Sequence, residues 1–212
     1  SSRVMRRALF LLVPLLAAPA VNAQTSYAVD SNLDQLFSVD LNTGAATFIA
    51  STLNNTLSTP ADLAWDNATQ TLWTIDLAGG AVGTIDVTNG TFTPVHQTGQ
   101  SGWQAMAWDP SSQLFYLNNQ TNPDLYVLDP ATGVTTLVGD TAQGLITAMS
   151  IDPGGQLWGI DFSSGTLVQI DKNTAAATPI GTAVSGIQGM GFSPTGQLFG
   201  SNTNDDSLYS ID

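Results

Sequence analysis

With 212 residues, 17 acids that are all Asp, and four Lys or Arg, the chain carries a formal charge of −13 and contains no Cys. The missing Cys excludes disulfides and thiolate metal sites, so packing must hold the fold. So acidic a surface repels phosphate backbones and anionic lipids, which excludes nucleic acid as a partner. Only 10% of residues are charged, so Thr, Ser, Asn, Gln and Gly supply much of the polarity, a composition that suits strands and turns rather than helices.

Taken in order, the chain opens with Arg6 and Arg7 ahead of an apolar run over 8–18 (ALFLLVPLLAA), and Val21-Asn22-Ala23 places small residues where a signal peptidase reads them. The run is too short to cross a hydrocarbon core of about 30 Å, and Pro14 interrupts it. Residues 1–23 are therefore expected to be a signal peptide cleaved before Gln24, packing against nothing in the fold; the alternative is an N-terminal membrane anchor. Cleavage implies a secreted or periplasmic protein with no membrane span left. It also leaves Lys172 as the only Lys or Arg beside 17 Asp, a formal charge of −16.

The remainder, 24–212, is one repeating domain. Residues 148–181 read as four short strands, AMSID, QLWGID, TLVQID and ATPIG, each with period-two alternation and separated by turn-forming residues. Aligned on their second strands, the copies run from Tyr27, Trp73, Phe115, Trp158 and Phe199, and their third strands end at Asp40, Asp86, Asp129, Asp171 and Asp212. First strands carry Trp65, Trp108, Ile151 and Phe192. A period of 40–45 residues with four strands per copy predicts an all-β fold, a β-propeller of four-stranded antiparallel blades. About five blades are expected, at 26–51, 61–97, 104–140, 147–182 and 188–212, the first and last incomplete.

Leu72 and Ile75, like Leu157 and Ile160, lie on opposite faces of a strand, and two apolar faces are what packing between blades requires. The second-strand aromatics should make a repeated contact between neighbours, and Trp158 is expected to be buried. Asp109-Pro110, Asp152-Pro153 and Ser193-Pro194 begin turns between strands one and two, and Asp40 to Gly44 and Asp129 to Gly133 turns between strands three and four. The latter need a Gly at positive φ. Ala175 stands where the fourth copy should have that Gly, so its turn is expected to be strained or differently shaped.

The first copy begins with a second strand and the fifth stops at its third. That pattern suggests a fragment of a longer propeller, folded as a curved arc or a strained five-blade ring. It also predicts that 208–212 does not complete the first blade.

The consensus of the copies, apolar-x-aromatic-Asp-Pro-x-Gly-x-Leu-aromatic followed by Leu-aromatic-x-Ile-Asp, resembles secreted bacterial β-propellers of the YVTN and NHL type over 26–212. The resemblance implies architecture rather than activity, since such families include binding scaffolds, lyases and lactonases. Lactonases of the gluconolactonase type use a Glu among their metal ligands, and this chain has none. Phytase-like propellers surround phosphate with Lys and Arg, which are almost absent here.

In propellers the loops joining strands two and three share a face with the loops joining blades, and that face usually carries binding. Here the first set opens with Asp30, Asp76, Asn118, Asp161 and Asn202, a ring of oxygens that suits Ca²⁺ or, more simply, caps each turn. Asp205 and Asp206 form the densest acidic pair and are the metal candidates. Trp103, aligned with Leu145 and Ile187, either stacks on a sugar at the channel mouth or anchors a blade-to-blade loop. His96, the only His, has no second His or Cys for a zinc site and no Ser-bearing elbow for a triad.

These features point to a non-catalytic binding or scaffold module with a protein or glycan partner, without catalytic residues and without a cofactor unless Ca²⁺ is bound. The alternatives are a Ca²⁺-dependent hydrolase or lyase using the Asp/Asn ring, and a structural segment of a longer cell-surface protein.

Overall fold

The computed structural model describes residues 13–14, 25–31, 33–51, 57 and 59–212, all of them in strands, turns or irregular backbone. Five antiparallel sheets follow one another in chain order. The first contains β1 (Val13–Pro14), β2 (Thr25–Asp30), β3 (Gln35–Asp40) and β4 (Ala45–Ser51). The second contains β5 (Pro60–Asp66), β6 (Thr71–Asp76), β7 (Ala81–Ile85) and β8 (Phe92–Gln97). The third contains β9 (Trp103–Asp109), β10 (Leu114–Asn119), β11 (Asp124–Leu128) and β12 (Thr135–Asp140). The fourth contains β13 (Ile146–Ile151), β14 (Leu157–Asp161), β15 (Thr166–Ile170) and β16 (Ala177–Thr182). The fifth contains β17 (Ile187–Phe192), β18 (Leu198–Asn202) and β19 (Ser207–Ile211). Each is an up-and-down meander whose first strand lies innermost, and β5, β9, β13 and β17 stand side by side around a central axis.

The core is divided between blades rather than gathered in one place. Val29 and Leu36 of blade 1 pack with Leu63, Trp65 and Leu72 of blade 2. Ile75 and Val82 meet Trp103, Phe115 and Leu128 of blade 3, and Ala105 and Leu125 meet Leu157, Val168 and Ile170 of blade 4. Ile160 and Leu167 meet Ile187, Met190 and Leu198 of blade 5. Finally Leu208 of β19 packs with Ala28, Phe37 and Val39, so blade 5 rests on blade 1 and the arrangement is a closed ring. The opposite-facing pairs Leu72/Ile75 and Leu157/Ile160 are all fully buried, each member in a different interface. This is the packing that two apolar faces per strand demand.

Second-strand aromatics reach across to the next blade, as Tyr27–Trp65, Trp73–Phe115 and Trp158–Phe192, with ring centroids 5.8, 5.2 and 5.9 Å apart. Two details differ from the sequence reading. Trp158 is half-buried, because its indole lies at the lower rim and donates to Asp152 Oδ2 at 2.9 Å. Blade 3 is also shifted by one residue. Asn119 pairs with Trp103 as Asp76 pairs with Pro60 and Asn202 with Ile187, so the structural counterpart of Trp73 is Tyr116 and not Phe115. Trp103 accordingly matches Ile146, not Leu145.

Val13 and Pro14 pair with Tyr27 and Ser26, in the inner-strand position of blade 1 and beside β5 and β17. That differs from the expectation that nothing in 1–23 touches the fold; the rest of that segment lies outside the described residues. At the other end β19 pairs with β18 and not with blade 1, as the repeat pattern implied.

Candidate functional site

The ring has two faces. Turns between strands two and three, and the connections between blades, form the upper one; turns between strands one and two, and between three and four, form the lower.

On the upper face the Asp and Asn that open each turn are occupied in holding it. Asp30 Oδ1 accepts from Leu33 N at 3.1 Å, and Asp161 Oδ1 from Ser164 N and Oγ at 2.8 and 2.9 Å. Asp76 Oδ1 accepts from Ala78 N at 3.0 Å and from Thr59 N, on the incoming connection, at 3.3 Å. Asn202 Oδ1 accepts from Asn204 N at 2.7 Å while its Nδ2 donates to Ser185 O at 2.9 Å. In blade 3 the shifted register gives this double role to Asn119, which bonds Thr121 N and Ser101 O, both at 2.9 Å. Asn118 is displaced inward and donates to Asp124 O at 3.1 Å. Each side chain thus ties its turn, and often the neighbouring blade connection, to the sheet. Trp103 is fully buried beneath this face, edge-on to Tyr126 at 5.2 Å, with its indole donating to Thr98 Oγ1 at 2.9 Å. Asp205 accepts from Ser207 N at 3.1 Å and from the Tyr209 hydroxyl at 2.5 Å, on the outer rim. Asp206 adopts a positive φ of 56° in the same turn. Among the described residues no group of three or more His, Cys, Asp or Glu is arranged to hold a metal.

The axis itself holds a residue that repeat alignment passes over. Asp62 of β5 occupies the position of Ala105, Ala148 and Gly189 in the other blades, and those small residues leave room for one carboxylate at the centre. It is 1% exposed. Its oxygens accept from Leu63 N at 2.9 Å and Met106 N at 2.8 Å, and Met149 N also donates to it. One side chain therefore clasps blades 2, 3 and 4. Burial pushes its carboxyl well above the usual carboxylate range, with the three backbone donors pulling the other way. The sequence signal was a lone acid at a position filled elsewhere by Ala or Gly.

Below Asp62 a cavity of about 490 Å³ opens at the lower mouth. Leu63, Met106, Met149 and Met190, one from each long inner strand, line it together with Trp65 and Trp108. Asp109, Ser111, Asp152 and Ser193 are among its rim. Asp109 Oδ2 accepts from Lys172 Nζ at 2.7 Å, linking blades 3 and 4. Although burial alone would raise its carboxyl, the bonds from Lys172 and Ser111 outweigh that and hold it at about 2. Asp152 is spent on Gln156 N and the Trp158 indole, both at 2.9 Å. By contrast the indole N–H groups of Trp65 and Trp108 are buried without a partner among the described residues. On the outer rim, His96 Nε2 bonds Pro130 O at 2.8 Å and pins blade 2 to the turn of blade 3.

Comparison with known proteins agrees with this architecture. A crystal structure of a nidogen/laminin complex superposes with a TM-score of 0.67 at 14% identity, covering 97% of this chain and 76% of that one. A gluconolactonase from Xanthomonas campestris gives 0.62 at 17% identity, covering 88% and 68%. A protein of unknown function from Bacteroides thetaiotaomicron gives 0.65 at 12% identity, covering 96% and 58%. No curated protein matches. At these identities the likeness is one of fold. A family model described as a repeat of unknown function, DUF6923, matches residues 67–212, more than half the chain, and the protein belongs to that family.

Proposed function

We propose that this propeller is a non-catalytic binding or scaffold module working in the periplasm or outside a bacterial cell, with a protein or glycan as its partner. The observation that carries this reading is Asp62. The acid at the centre of the axis is consumed by backbone donors from three blades, an arrangement that makes a rigid hub rather than a general base or an open metal ligand. The Asp and Asn ring of the upper face is likewise engaged in capping turns. The export-type segment at 6–23 and the strongly acidic composition suit a solvated extracytoplasmic disc.

The test is an assay of the purified chain against a panel of sugar lactones, with and without millimolar Ca²⁺. No turnover above the uncatalysed rate is expected. Calcium-dependent hydrolysis that disappears in Asp62→Asn would overturn the reading and install the hydrolase in its place.

A further inference from the structure

We propose that the lower face of the ring docks a basic segment of a partner protein, with an apolar side chain seated in the axial mouth and Lys or Arg on either side of it meeting the surrounding carboxylates. The proposal rests on the binding-module reading and supplies the chemistry of its partner. The mouth fixes the apolar part. Leu63, Met106, Met149 and Met190 at its floor are packed out of reach, so a ligand meets the walls and the rim instead. There Trp108, Ile151 and Phe192 keep part of their surface, and Pro110, Pro153 and Pro194, one from each of three successive blades, are exposed. Rigid apolar groups around about 490 Å³ of space offer contact to one large side chain and lose little freedom when it binds.

Charge selects what flanks that side chain. Turns between strands one and two bring Asp66, Asp109 and Asp152 to the lower face, and turns between strands three and four bring Asp40, Asp86, Asp129 and Asp171. Lys172, the only Lys or Arg among the described residues, is already bonded to Asp109. Hydrogen bonds within their own turns, led by those from Thr88, Ala131 and Asn173, hold the carboxyls of Asp86, Asp129 and Asp171 below the usual range, so they stay ionised into mild acid. An anionic ligand is repelled, and so is a second copy of this chain, whose formal charge is −13. A single small cation is disfavoured too. The carboxylates belong to different blades, and among the described residues no three of them gather to hold a metal. Only a ligand that spreads across the face meets several at once, and a polypeptide segment with cations on both sides of its apolar anchor does so.

The experiment is fluorescence anisotropy of a labelled peptide, Lys-Lys-Gly-Phe-Gly-Lys-Lys, titrated with the purified chain at about 0.1 M NaCl, where a Debye length of about 10 Å largely screens charges on the opposite face. Control peptides replace Phe by Ser, every Lys by Ser, or every Lys by Glu. The Lys–Phe peptide is expected to bind in the micromolar range and each control at least about tenfold more weakly. Asp86→Asn, Asp129→Asn and Asp171→Asn together keep the turn-capping oxygens and remove three charges, and should weaken binding about tenfold. Asp124→Asn, Asp140→Asn and Asp205→Asn take the same charge from the upper face and should change affinity by less than about twofold. Asn67→Arg sets a cation on an exposed turn at the mouth and should weaken binding at least about fivefold.

Absence of binding by the Lys–Phe peptide overturns the proposal, as does a control peptide that binds as tightly or an equal loss in the two triple variants. The peptide comparison needs no variant, so it decides the matter even where a triple variant fails to fold. None of these results touches the non-catalytic reading, which falls only to turnover in the lactone assay.

Discussion

The two mouths of the axis are built from the same repeats yet solve opposite problems. At the upper mouth the turn-opening Asp and Asn side chains fold back on the chain, and Trp103 beneath them finds Thr98 for its indole. At the lower mouth the carboxylates are just as fully used, but Trp65 and Trp108, whose side chains line a cavity, have buried indole N–H groups with no acceptor among the described residues. Unpaired acceptors do exist toward the upper side, on Asn118 Oδ1 and Gln188 Oε1, but neither residue borders that cavity. Satisfied polar groups stabilise, whereas a buried unsatisfied one costs its desolvation. The repeat thus makes the upper face a brace and leaves a cavity at the lower one.

Removing the brace gives the largest effect. Trp103→Ala deletes a fully buried ring and its bond to Thr98, and should destabilise by about 3–5 kcal/mol in urea unfolding. Trp158→Ala, a half-buried ring at the lower rim, should cost clearly less. Equal losses would mean that the upper mouth is no more consolidated than the lower.

Between the mouths, Asp62→Ala strands three backbone N–H groups at the axis and should cost about 3 kcal/mol at neutral pH. Asp62→Asn should cost less, since it removes a desolvated charge and keeps one acceptor oxygen. The sign of the pH dependence separates this acid from its neighbour below. Because burial raises the Asp62 carboxyl, its ionisation opposes folding. Its contribution is full below the unfolded pKa near 4 and declines as pH rises through the folded value. A stability gain on mild acidification that survives in Asp62→Asn would sink this assignment.

Asp109 runs the other way. Held at about 2 by Lys172 and Ser111, it stabilises the fold above pH 4, and that contribution, about 2 kcal/mol, drains away between about pH 4 and 2. Asp109→Asn should lower stability at pH 7 and flatten the acid limb of the stability curve. An unchanged acid limb would show that the blade 3–blade 4 bridge is dispensable.

How far the sequence foretold this follows from what a repeat can encode. Blade number, the inter-blade cores and the capping role of Asp76 or Asn202 were legible because each recurs at a fixed position and period. The register of blade 3 was not. Leu114-Phe115-Tyr116 mimics Leu-aromatic-x one residue early, and only strand pairing shows Asn119 opposite Trp103. Asp62 was missed for the converse reason, since its meaning lies in breaking the repeat. The cavity could not be read at all, because it arises where four inner strands from distant parts of the chain converge.

The smallest effect tests the outer rim of the lower face, where four turns between strands three and four place Gly44, Gly90, Gly133 and Ala175 at φ of 69, 73, 75 and 65°. Ala175 was expected to strain or reshape its turn. It keeps the shape, with its N–H bonded to Asp171 O at 2.9 Å as Gly133 N–H is to Asp129 O at 2.8 Å, and so accepts left-handed backbone at a cost of about 1 kcal/mol. The compensation is local. Its methyl is fully buried between blades 3 and 4, worth about 0.8 kcal/mol, and Ala gives up less chain entropy than Gly on folding. Ala175→Gly should therefore change stability by no more than about 0.5 kcal/mol. The reciprocal Gly133→Ala has no such compensation, since a Cβ there would fall 2.6 Å from the His96 ring and displace its bond to Pro130. That variant should lose about 1–2 kcal/mol. Equal effects of the two swaps in a thermal melt would show that backbone conformation alone, and not what the methyl meets, decides which residue these turns carry.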